Sequence, residues 1–150
     1  MTMQQIKVAI VDDNAEIREH LAQFLAEERS VRVIGQAENG LEAINLIRDE
    51  KPDLVLLDII MPGMDGFGVL QHIQLMPKES RPHVIVITAL GRDDFIRRAI
   101  ALGVSYYMVK PIDIHVLLDR IRDVIRHSEV PAAPLPILPL PGQSMDEKLS

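Results

Sequence analysis

Hydrophobic and polar positions along this chain alternate in blocks. Short apolar runs at Ile6 to Val11, Val31 to Ile34, Leu54 to Leu57, Val84 to Ile87 and Ser105 to Val109 are each followed by a longer mixed stretch. A short, nearly unbroken apolar run bounded by turn signals predicts a strand buried on both faces. The mixed stretches carry their apolar residues at helical spacing. These are Ile17, Leu21, Phe24 and Leu25; then Ala43, Ile44 and Ile47; then Phe67, Leu70 and Ile73. The last two stretches carry Phe95, Ile96, Ala99, Ile100 and Leu102, and Ile114, Leu117, Leu118, Ile121 and Ile125. Asn39-Gly40 opens the second helix and Lys51-Pro52 ends it, Gly103 closes the fourth in a left-handed conformation, and Asp113 caps the fifth. Five strand–helix units imply right-handed crossovers and a parallel sheet covered on both sides. The expected fold is α/β and doubly wound, with strand order 2-1-3-4-5 and a ligand site beyond the carboxyl ends of strands 1, 3 and 4.

The pattern breaks after Ser128. Five of the ten prolines fall between residues 131 and 141, which favours extended polyproline geometry over helix or central strand. Residues 1–128 therefore read as one domain and 129–150 as a proline-rich linker or tail. Pro131–Pro134 and Pro136–Pro139 fit a PxxP ligand, but a semi-rigid spacer is the favoured reading. With 150 residues, the chain has room for one core plus that tail. It has no cysteine, which excludes disulfides and thiolate metal sites. No apolar run approaches the ~20 residues of a membrane span, and the polar start from Met1 to Gln5 does not look like a signal peptide. The expected setting is the cytoplasm, away from membranes. A net charge of −6 argues against direct grip on nucleic acid.

The polar residues at the strand ends carry the chemistry. Asp12 and Asp13 follow strand 1, Asp58 strand 3, Thr88 strand 4 and Lys110 strand 5. The topology brings all five to one edge. Three clustered carboxylates require a cation, and a hard, oxygen-seeking ion such as Mg²⁺, or Mn²⁺ or Ca²⁺ in its place, suits them. Lys110 adds a point charge and Thr88 a hydroxyl. Together these parts suit a phosphoryl group, with Asp58 as its acceptor.

Asp12-Asp13, Asp58 with Met61-Pro62, Thr88-Ala89 and Lys110-Pro111 resemble the signature of two-component receiver domains, over residues 6 to about 127. The resemblance implies the flavodoxin-like receiver fold and a response regulator's role. Within the family, Val11-Asp-Asp-Asn14, Leu57-Asp-Ile-Ile-Met-Pro62 and Leu102-Gly-Val-Ser-Tyr-Tyr-Met-Val-Lys-Pro111 resemble the receiver of the sporulation master regulator of endospore-forming bacteria. That resemblance implies transcription control through an output domain, the only route to DNA.

By position, the resemblance implies that Asp58 accepts a phosphoryl group from a histidine kinase or histidine phosphotransfer protein. Asp13 and Asp58 would bind the metal directly, Asp12 through water, and Ile60 through its carbonyl. Thr88, with Ala89 beside it, and Lys110 would hold the phosphoryl oxygens. Tyr107 would report their movement, and a phosphorylation-dependent homodimer would follow. Ile60 and Leu90, both apolar, stand where a polar group would hold the hydrolytic water, which predicts a slow switch.

Other readings weigh less. An aspartate-nucleophile phosphatase would need a second acid two residues after the nucleophile, where this chain has Ile60. A flavin site fails because the first strand ends in two acids where a phosphate loop is required. A stand-alone phosphorelay intermediate and an unphosphorylated pseudo-receiver scaffold remain alternatives. The histidines, His20, His72, His83, His115 and His127, lack metal-ligand spacing.

Overall fold

Each apolar run becomes a strand. β1 (Ile6–Val11), β2 (Val31–Ala37), β3 (Leu54–Leu57), β4 (His83–Thr88) and β5 (Tyr106–Val109) form one sheet in the order β2-β1-β3-β4-β5, every neighbouring pair parallel. They are joined by α1 (Ala15–Ala26), α2 (Gly40–Glu50), α3 (Gly66–Gln74) and α4 (Asp93–Ala101), and α5 (Ile114–Ser128) follows β5. The structure is a computed structural model and describes residues 5–128. The PxxP motifs lie outside the described residues, as do Met1, Thr2, Met3 and Gln4.

Successive strand residues point to opposite faces, and two cores result. Ala9, Val11, Val55, Leu57, Val84 and Val86 pack with Ala43 and Ile47 of α2, Phe67, Leu70 and Ile73 of α3, and Ala99 of α4. Val8, Ile10, Leu54, Leu56, Ile85 and Ile87 pack with Leu21 and Leu25 of α1 and with Leu117, Ile121 and Val124 of α5. Full burial of a leucine-sized side chain is worth ~1.5–3 kcal/mol. A one-residue slip of a central strand would exchange its two buried faces, so the register is strongly specified.

That register positions the site. Val11 pairs with Leu57, so Asp12 and Asp58 emerge side by side, and Asp58 N donates to Val11 O at 2.9 Å. Thr88 pairs with Val109, and Lys110 follows, its N–H donating to Thr88 O at 2.8 Å.

The expected caps are present. Asn39 Oδ1 accepts from Glu42 N at 2.9 Å, Asp113 Oδ1 accepts from His115 N at 2.8 Å, and Gly103 adopts φ +91°. Other details differ from expectation. β2 continues three residues past Ile34, because the pairing shifts between Val8 and Ala9, from Val33 to Gly35, and skips Ile34. Gly35 and Gln36 are thus held by backbone pairing at the sheet's edge, which apolar pattern alone does not signal. On α5, Val124 is fully buried and Ile125 only partly, and on α4 Ile100 is 39% exposed. Lys51 ends α2 at φ +50°, a left-handed cap on a residue with a Cβ. Among the described residues, no helix is long and apolar enough to cross a membrane.

Candidate functional site

Asp12, Asp13 and Asp58 each offer a carboxylate oxygen within 4.8 Å of the others. Asp12 and Asp58 are 3% and 5% exposed, while Asp13 is open to solvent. Buried like charges this close need a counter-charge, and Lys110 provides it. Its Nζ donates to Asp12 Oδ2 at 2.8 Å and to Asp58 Oδ2 at 3.0 Å. Backbone amides hold the remaining oxygens. Asn14 N donates to Asp12 Oδ1 at 2.9 Å, and Ile60 N to Asp58 Oδ1 at 3.0 Å. From α1, Arg18 Nη1 donates to the Asp12 carbonyl at 2.6 Å.

Burial dominates at Asp12 and raises its pKa despite the bond to Lys110. Burial also opposes the Lys110 charge, but its bonds to Asp12 and Asp58 outweigh that effect and raise the ammonium's pKa. The ammonium is thus held in its charged form by its two carboxylate partners, while burial still disfavours the charge on Asp12.

Thr88 is 0% exposed, and its Oγ1 is the buried side-chain polar atom that lacks a hydrogen-bond partner among the described residues. An unsatisfied buried hydroxyl costs ~1–3 kcal/mol, so its position at this sheet edge calls for an explanation. Ala89 begins an exposed bend, and Leu90 after it packs against the core formed with α2, α3 and α4. Tyr107 OH donates to Leu90 O at 2.6 Å, and the ring is half-buried. Burial first, then the negative charge of Asp58, pushes the Tyr107 phenol's pKa up. Ile60 is 49% exposed.

The structure thus brings Asp12, Asp13 and Asp58 together, bonds Lys110 to Asp12 and Asp58, and ties Tyr107 to Leu90. Ile60 meets the site through its N–H, a contact the sequence did not suggest. Arg18 and the Asn14 amide were also missed. For Asn14 a signal existed, since an Asp two residues before a helix cap often accepts from the backbone locally. No comparable signal marked Arg18.

Three oxygens at this spacing fit a hard divalent ion. Residues 8–122 match the response regulator receiver domain family. The chain belongs to that family. Receiver domains are phosphoacceptors that bind Mg²⁺ through an aspartate cluster, and they work with histidine kinases or phosphotransfer proteins.

Solved receivers repeat the fold. A DNA-binding response regulator of the LuxR family from Staphylococcus aureus is 30% identical, with a TM-score of 0.73 over 79% of this chain and 98% of its own. The CheX-CheY-BeF3-Mg complex from Borrelia burgdorferi contains a chain 31% identical, with a TM-score of 0.74 over 81% of this chain and 90% of that one. The receiver domain of AraT, a response regulator from Geobacillus stearothermophilus, is 31% identical, with a TM-score of 0.75 over 89% and 100%.

Proposed function

We propose that this receiver takes a phosphoryl group onto Asp58 from a phosphohistidine and relays it as a change of shape. The observation that carries the reading is Lys110 Nζ bridging Asp12 and Asp58, with the buried, unpartnered Thr88 hydroxyl at the end of the neighbouring strand. An Asp58 carboxylate oxygen attacks phosphorus, an O–P bond forms and the P–N bond breaks. The electron pair returns to the histidine nitrogen of the donor. A divalent ion held by Asp12, Asp13, Asp58 and the Ile60 carbonyl would neutralise charge on the phosphoryl oxygens. Lys110, already at Asp58, moves its hydrogen bond to a phosphoryl oxygen, and Thr88 Oγ1 gains there the acceptor it lacks.

Phosphorylation adds ~1.5–2 negative charges to an acidic cluster. Lys110, Thr88 and Ala89 reorganise around it, and Tyr107 fills the space that Thr88 leaves. The face of α4, β5 and α5 then pairs with a second copy, as a population shift between two states. Ile60 and Leu90 keep the hydrolytic water from being held, and the signal lasts. Residues 129–150 are a proline-rich linker or tail, and DNA is within reach only through an output domain. The cytoplasm and control of transcription in sporulation are the setting that the sequence runs around Asp12, Asp58 and Lys110 support.

The test is transfer from a phosphorylated histidine phosphotransfer protein, with label followed to each partner. Label on the wild-type chain and none on Asp58→Asn is expected. Equal labelling of both would overturn the acceptor assignment.

A further inference from the structure

We propose that the proline-rich segment of residues 131–141 is a ligand of its own chain and seats in a cleft at the amino edge of the sheet, opposite the acidic site. Ile6 at the start of β1, Ile47 of α2, Pro52 before β3, Met76 and Pro77 after α3, and Ile125 of α5 form the apolar part of this cleft. Charged Arg48, Lys51, Asp53, Glu79 and Arg81 ring it. Next to Met76 in sequence, Leu75 is 86% exposed. Ile6, Ile47 and Pro52 are buried at its base, so Met76, Pro77 and Ile125 supply the apolar surface that a ligand would meet among the charged groups.

Three features select the occupant. First, Ile125, in the last described turn of α5, is itself a wall of the cleft. The segment begins three residues after Ser128 in sequence, so only a short tether separates it from that wall. Second, residues 131–141 carry no charge and present Leu135, Ile137, Leu138 and Leu140 among their prolines. At ~3.1 Å per residue in polyproline geometry they reach ~34 Å, ample against the ~13 Å radius of gyration of a domain near this size. Third, prolines fix the backbone in advance, so little conformational freedom is lost on docking. A short tether also sets an effective concentration on the order of millimolar, which a separate partner must exceed. The segment is thus held against the domain, and the acidic edge stays open. The inference does not depend on Asp58 being a phosphoacceptor.

The absence of cysteine makes the test direct. A nitroxide is attached to Gln143→Cys in the isotope-labelled full chain, and amide relaxation is read by NMR. The amides of Lys51, Met76 and Glu79 should broaden, and those of Asp13, Gly63 and Ala89 at the opposite edge should stay sharp. The broadening should be lost when Leu135, Ile137 and Leu138 are changed together to Asp. Sharp cleft amides, or broadening that survives the triple change, would overturn the proposal. So would equal broadening in a mixture of spin-labelled and separately isotope-labelled chains, which would assign the segment to a second copy.

Discussion

Tyr107 reaches across from β5 to donate its hydroxyl proton to the carbonyl oxygen of Leu90 at 2.6 Å. The bond links the strand that precedes Lys110 to the loop that follows Thr88, so the two phosphoryl-binding candidates are mechanically joined. Tyr107→Phe deletes the donor and keeps the ring. A lost hydrogen bond of this kind is worth ~0.5–1.5 kcal/mol. The urea midpoint should fall correspondingly, and amide exchange at Ala89 and Leu90 should quicken. Unchanged exchange in that loop would show that Tyr107 does not hold it.

A second prediction follows from the charge on Asp12. Its pKa in the folded state is raised above the ordinary 3.8. The folded chain therefore holds a proton that the unfolded chain has lost within that window. Stability falls as pH rises through the window and stays lower at neutral pH. In EDTA, Asp12→Asn should melt at a higher temperature than wild type at pH ~7, and its advantage should vanish below the window. A variant that melts lower at neutral pH would contradict the account.

Lys110 and a divalent ion compete for the same oxygens, since Nζ holds Asp12 Oδ2 and Asp58 Oδ2. Lys110→Met removes the competitor while keeping most of the aliphatic stem. Calorimetric titration should show tighter Mg²⁺ binding than in wild type, with lower stability in EDTA, where two buried acids face each other. Weaker Mg²⁺ binding would argue that Lys110 organises the metal site instead of opposing the ion.

How much of this was legible in the sequence depended on the scale of the feature. Leu54 to Leu57 announced β3 because an unbroken apolar run must be buried, and Asp58 announced the site because a carboxylate ends that run. Gly103 and Asp113 announced their caps through backbone conformation and a local hydrogen bond. The extension of β2 to Ala37 was hidden because Gly35 and Gln36 are paired through the backbone, which carries no residue signature. The Tyr107–Leu90 bond and the double grip of Lys110 were hidden because they link groups 17, 52 and 98 residues apart in sequence. Such contacts follow from packing, not from spacing.

The lifetime of the modified state is the next outcome. Ile60 is 49% exposed, so Ile60→Asn can be made without opening the core. A positioned polar group lowers a barrier by ~1–3 kcal/mol, and phosphoryl decay in Mg²⁺ buffer should quicken accordingly. Leu90→Glu should add to it, though Leu90 packs on the core and that variant's melting point must be read alongside. Decay of the double variant no faster than wild type would remove Ile60 and Leu90 as determinants.

The central claim is that Asp58, with a divalent ion, is the acceptor. Intact-mass analysis after incubation with acetyl phosphate tests it most directly. Wild type with Mg²⁺ should gain one phosphoryl group, and wild type in EDTA or Asp58→Asn with Mg²⁺ should gain none. A phosphoryl mass on Asp58→Asn, or an equal gain in EDTA, would contradict the account.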